Sequence, residues 1–194
     1  MTGGTLTAAE LTSEGNQNYF KLEGGTLRLG SGGVRRTNTA TDRTYLANAS
    51  ADLQLGGVTV EVDSTENVSC DVPVLFTGTG GATVFDCGED EGTGGTLTFA
   101  AGASGAGSFV KRGSNALVFA GSCSFGGDLT IEEGAVTFDS TAKLSGAARI
   151  FALGGRMEVL SAAEVTAKPS LVVLADVSSL VLGAGVDLEA EHLV

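Results

Sequence analysis

The chain has 194 residues, 42% of them hydrophobic and only 18% charged, with 30 Gly against 2 Pro and no Trp. That is enough apolar material for one buried core or one continuous repeat array, and it excludes collagen-like, Pro-rich and disordered polyelectrolyte classes. A formal net charge of −12 serves solubility and disfavours nucleic-acid phosphates and anionic lipid as partners.

In chain order, short apolar runs fall at 27–29, 53–55, 58–62, 72–76, 83–85, 97–99, 109–110, 117–119, 129–131, 136–138, 150–153, 157–160, 171–174, 180–182 and 186–188. Many alternate strictly, as in VTVEV at 58–62 and LTI at 129–131. Such runs read as β-strands with one face inward and the other toward water. Two Ala/Glu-rich stretches, 8–14 and 161–168, read as helical turns or loop excursions. Residues 88–95, GEDEGTGG, read as an acidic loop.

Gly-Gly pairs punctuate the runs from Gly3-Gly4 to Gly154-Gly155, and they read as corners, because glycine enters the left-handed region without steric cost. Three of them share a context: GGTLT at 3–7, GGTLR at 24–28 and GGTLT at 94–98, the first two 21 residues apart. A period of about 20–30 residues suits one turn of a solenoid. Strands this short cannot cover their own inward faces, but coils stacked about 4.8 Å apart cover one another. The expected fold is therefore all-β, a right-handed parallel β-helix, with roughly nine coils at about 20 residues each. The alternative is a β-sandwich or jelly roll, against which the brevity of the strands and the scarcity of Pro both count. Residues 1–194 read as a single array. With no leader-like start at Met1, no apolar run long enough to span a membrane and a finish on Leu193 and Val194, it is expected to be a segment of a longer protein.

Residues 94–139 carry GSFVKRG at 107–113, LVFAG at 117–121, FGG at 125–127 and LTIEEGAV at 129–136. This order of glycine corners and strand centres resembles the autotransporter-associated β-strand repeat of bacterial surface proteins, with Phe109 where Leu is usual and Phe125 where Tyr is common. The clear match covers about a quarter of the chain, and weaker copies occupy 20–33 and 150–159. The resemblance implies a right-handed parallel β-helix passenger, extracellular or at the outer-membrane surface of a bacterium. It implies a structural or adhesive role without catalysis or cofactor, and host or matrix molecules or glycans as partners. Loops at 13–19, 35–43 and 88–95 are the expected places of contact. An open terminal coil is a sheet edge, so end-to-end self-association into a fibre is a further expectation.

Catalytic signatures are sparse. The single histidine, His192, is third from the end, and no nucleophile elbow, zinc-protease helix or phosphate-binding loop is present. The enzymatic alternative is a carbohydrate-active β-helix, lyase or glycosidase, using surface carboxylates. Its candidates are Asp86, Glu89, Asp90 and Glu91, with Lys111 and Arg112 on a following coil. The same acidic loop is a weak candidate for Ca²⁺, since it lacks the spaced ligand pattern of known loops. Only Tyr19, Tyr45 and nine Phe supply aromatic rings, and most of the Phe lie at strand centres, which favours core packing over sugar stacking. The three cysteines, Cys70, Cys87 and Cys123, form no even framework and read as buried free thiols, with a Cys70–Cys87 bridge as the lesser option. Arg35-Arg36 reads as a turn, and the glycosylation triplets at Asn48 and Asn67 as coincidence.

Overall fold

The computed structural model describes residues 1–13, 20–36, 53–62, 65–88, 95–146 and 148–194. Every regular element among them is a strand. The first coil holds β1 (Thr5–Ser13) and β2 (Phe20–Glu23), the second β3 (Thr26–Arg36) and β4 (Leu53–Gly56). Five coils of three strands follow. They are β5 (Thr59–Val62), β6 (Val68–Cys70) and β7 (Val74–Phe76); β8 (Thr83–Asp86), β9 (Leu97–Phe99) and β10 (Ala103–Gly105); β11 (Phe109–Arg112), β12 (Ala116–Phe119) and β13 (Ser122–Phe125); β14 (Leu129–Ile131), β15 (Ala135–Phe138) and β16 (Lys143–Leu144); and β17 (Arg149–Ala152), β18 (Arg156–Val159) and β19 (Glu164–Val165). An eighth coil begins with β20 (Leu171–Leu174) and β21 (Ser179–Leu182).

All pairings between these strands are parallel, each with the equivalent strand of the neighbouring coil. This is a β-solenoid of about seven turns, not a sandwich. It has three faces. The first runs β5-β8-β11-β14-β17-β20 and the second β6-β9-β12-β15-β18-β21; both join through β3, which turns the corner unbroken, so the two form one 14-stranded sheet. The third face is a separate seven-stranded sheet, β2-β4-β7-β10-β13-β16-β19.

The coil count is lower than nine because early coils are long. From Leu27 to its partner Val60 is 33 residues, whereas Lys111 to Ile131 is 20. Loops inserted at corners lengthen a coil without disturbing its ladders, because loop closure cost grows slowly with length. Residues 8–13 are not a helical excursion: they continue β1 along β3, with a register shift between Ala8 and Glu10 where both strands bend. Likewise 161–168 is a turn followed by β19. The run at 186–188 forms no strand.

The GGTL strings at 3–6 and 24–27 stack in register, Thr5 on Thr26 and Leu6 on Leu27. At that corner Gly25 has φ +84, and a Cβ on it would meet the Gly4 carbonyl oxygen at 2.4 Å. The third copy lies elsewhere: Leu97 belongs to the second face, between Val68 and Leu117. A shared string therefore marks a strand entry, not a fixed place in the coil.

Inward columns are apolar except at Thr83 and Lys111. Val68, Leu97, Leu117, Val136, Met157 and Leu180 form one, and Cys70, Phe99, Phe119, Phe138 and Val159 the next. Seven Phe fill the middle of the prism, with neighbouring ring centroids 5.3–6.5 Å apart. Phe151 is the outward exception, with the Arg149 guanidinium 5.4 Å from its ring centre. Cys70, Cys87 and Cys123 are buried; the Cys70 thiol lies 3.6 Å from the Val72 carbonyl oxygen and the Cys123 thiol 3.8 Å from that of Gly121.

Candidate functional site

The first face ends at a corner, and there the last outward residues of its strands from β3 to β14 form a charged column. In register it runs Arg28, Glu61, Asp86 and Arg112, and Glu132 follows β14 on the next coil. Strand alternation places these side chains outward, because Leu29, Phe85 and Ile131 beside them point in. Arg28 Nε lies 2.6 Å from Glu61 Oε2, and Arg112 Nε 2.6 Å from Glu132 Oε2. The hydrogen bond and charge of Glu132 hold the Arg112 guanidinium above its ordinary pKa.

Around Arg112 the corner opens into a groove of about 480 Å³ lined by Asp86, Gly88, Arg112, Gly113, Glu132 and Glu133. Three carboxylates against one guanidinium leave it acidic. Arg112 is half-exposed, so its ion pair is a weak tie, and Asp86 and Glu133 carry the remaining negative charge toward solvent.

Lys111 follows the opposite alternation. It stands in the inward column Val60, Phe85, Lys111, Ile131, Ala152 and is fully buried. Its ammonium donates to the carbonyl oxygens of Arg112, Gly113 (2.6 Å) and Glu133 (3.4 Å). Three carbonyls turned toward the interior thus find one donor group, which satisfies both sides of the desolvation. Burial pushes the pKa of Lys111 down, against the opposing pull of Cys87, Asp86 and Glu133. Cys87 lies at the same corner. Burial pushes its thiol up to about 11, with Lys111 acting in the opposite sense and Asp86 reinforcing the rise.

Of the residues singled out from the sequence, Asp86 lines the groove, and Arg112 lies directly over it on the following coil. Lys111 is on that coil too but faces the core. Glu89, Asp90 and Glu91 lie outside the described residues, as do Tyr19, Tyr45, Asn48 and most of the loops at 13–19 and 35–43. Arg35 Nε donates to the Gly32 carbonyl at 2.9 Å and stands 3.7 Å from Glu10. Asn67 accepts the Thr96 N–H at 3.2 Å, a corner brace. His192 is exposed in the tail, where its carbonyl accepts from Val172 N–H. Sequence reasoning missed Glu132 and Glu133; the signal was the 20-residue step from Arg112 to Glu132, one coil of this part of the array.

Chemically, the groove offers carboxylates, one tethered guanidinium and backbone at Gly88 and Gly113. Among the described residues no group of three or more His, Cys, Asp or Glu side chains is placed to hold a metal ion. Comparisons with protein-family models, curated proteins and solved structures returned no match to this chain.

Proposed function

We propose that this chain is a rigid structural or adhesive segment of a bacterial cell-surface protein, secreted or displayed at the outer membrane, which holds loops or further domains away from the cell. The observation that carries this reading is the unbroken ladder on three faces. Seven rungs at about 4.8 Å give a stack roughly 34 Å long, with every coil bonded to its neighbours. The likeness of 94–139 to the autotransporter-associated repeat supports it further, since that segment supplies the successive strands β9 to β15. Surface glycans or matrix proteins are the proposed partners, met through the loops inserted at corners. The test is antibody labelling with a serum raised against the folded chain. Labelling of intact cells supports the reading; detection only after lysis overturns it.

A second reading, a carbohydrate-active enzyme, is favoured by the shared groove of Asp86, Arg112, Glu132 and Glu133. Release of reducing ends from a polysaccharide panel, lost in Asp86→Asn or Glu133→Gln, is its signature; an inert wild-type chain removes it. A third, the self-associating fibre, draws on exposed Val177, Leu193 and Val194 and predicts mass that grows with concentration in light scattering.

A further inference from the structure

The fifth coil is the one place in the described first face where positive charge stands both inside and outside the solenoid, Lys111 buried and Arg112 exposed, between coils that carry acids. Below it, Asp86 lies in register with Arg112, and its charge also acts on Lys111. Above it, Glu132 pairs with Arg112, and Glu133 presents its carbonyl to the Lys111 ammonium and its carboxylate to the groove. Beneath Asp86, Glu61 continues the outward column with another acid.

Solenoids whose coils share length and pattern can misthread, because neighbouring coils are near-equivalent partners. Here the steps from Lys111 to Ile131 and from Ile131 to Ala152 are 20 and 21 residues, and apart from Lys111 and Thr83 the buried inward residues are apolar, so shape alone discriminates poorly. Charge does discriminate. If β14 stacked directly on β8, extruding the fifth coil, Glu61, Asp86 and Glu132 would form three consecutive like charges on one strand face. Like charges directly opposite are destabilising. The extruded coil would also take Lys111 from the Glu133 carbonyl.

We infer that the fifth coil is a charge keystone: Lys111 within and Arg112 without hold the acids of the fourth and sixth coils apart and so fix the order in which coils stack. Repulsion against wrong partners is a recognised source of specificity in pairing. The inference concerns assembly of the array and stands whether its surface binds, cleaves or only supports.

The test is a rescue experiment on the full chain, read by native-state hydrogen exchange at 109–112 and 129–131 together with refolding kinetics. The first variant combines Lys111→Met, of similar volume in the core, with Arg112→Gln on the surface, and removes both charges. The second adds Asp86→Asn, Glu132→Gln and Glu133→Gln. Expected for the first is exchange about tenfold faster in both strands, with a slow refolding phase. Expected for the second is a return to within about threefold of the parent chain. If the first variant does not fold at all, recovery of a folded chain in the second still supports the keystone. A first variant that behaves like the parent overturns it. So does a second variant no better than the first, which would leave Lys111 as a cap for carbonyls and nothing more.

Discussion

The ring of Phe138 lies over that of Phe119 one coil below, 5.3 Å between centroids and 16° between planes. Phe119 also touches Phe99, Phe109 and Phe125, so one side chain joins rings from three coils and all three faces of the prism. Such a residue has no neighbour free to collapse into the space it vacates. Phe119→Ala is expected to cost about 3–5 kcal/mol, and Phe119→Leu clearly less. Urea unfolding followed by circular dichroism gives the difference; a loss of well under 1 kcal/mol for the alanine variant would mean the core is looser than the ring contacts imply.

Stability should fall as the solution is made alkaline beyond pH 9. Burial raises the thiols of Cys87 and Cys123 from 9.0 to about 11, so folding favours their protonated forms. Their contribution is whole below pH 9 and is lost as pH climbs through 11, about 2–3 kcal/mol for each thiol. Lys111 has the opposite sign: its pKa is lowered on folding, so its deprotonation at high pH opposes the loss. In Cys87→Ala with Cys123→Ala the alkaline decline between pH 9 and 11 should flatten, measured as urea midpoints across that range.

The same burial governs reactivity. Cys70, Cys87 and Cys123 are at most 1% exposed, and it is the thiolate that reacts. A maleimide reagent at neutral pH should leave the folded chain unmodified and add three labels after unfolding, counted by intact mass. Rapid native labelling at any of the three would show that its corner opens.

Two corner positions make a paired test of backbone strain. Ala162 has φ +74, the only such angle among the described non-glycine residues, and such a conformation costs roughly 1–2 kcal/mol. Ala162→Gly should therefore stabilise by up to about 1 kcal/mol, net of the freedom glycine adds to the unfolded chain. Gly33, at φ +66, faces the Ser69 carbonyl, which a Cβ would meet at 2.0 Å. Gly33→Ala should destabilise strongly, because strain and a backbone clash add. Thermal midpoints of the two variants should move in opposite directions.

Strands of the first two faces were legible because most of them carry two inward apolar residues in alternation, as Leu117 and Phe119 do in β12. Those of the third face largely were not. β10, β16 and β19 are two or three residues long, and β10 and β16 each bury a single side chain, Ala103 and Leu144; no periodicity exists in so short a run. These strands form because the ladders above and below offer them hydrogen bonds, a cause that local residues do not encode. Asp86 drew notice as an acid beside an acidic loop, and Arg112 as its neighbour on a later coil. Glu132 and Glu133 did not, because their relation to Asp86 passes through two coils of stacking.

By itself, the order of residues pointed to an all-β protein with glycine at its corners and favoured coils piled in parallel over a sandwich, since strands so short gain cover for their inward sides by stacking. Only the tertiary structure decided which strand meets which. Loops of unequal length set the number of coils, the third GGTLT string was carried to another face, and two adjacent basic residues were sent to opposite sides of the sheet. Lys111 entered the core and Arg112 faced water because strand alternation is absolute once register is set, and register is a property of neighbouring coils.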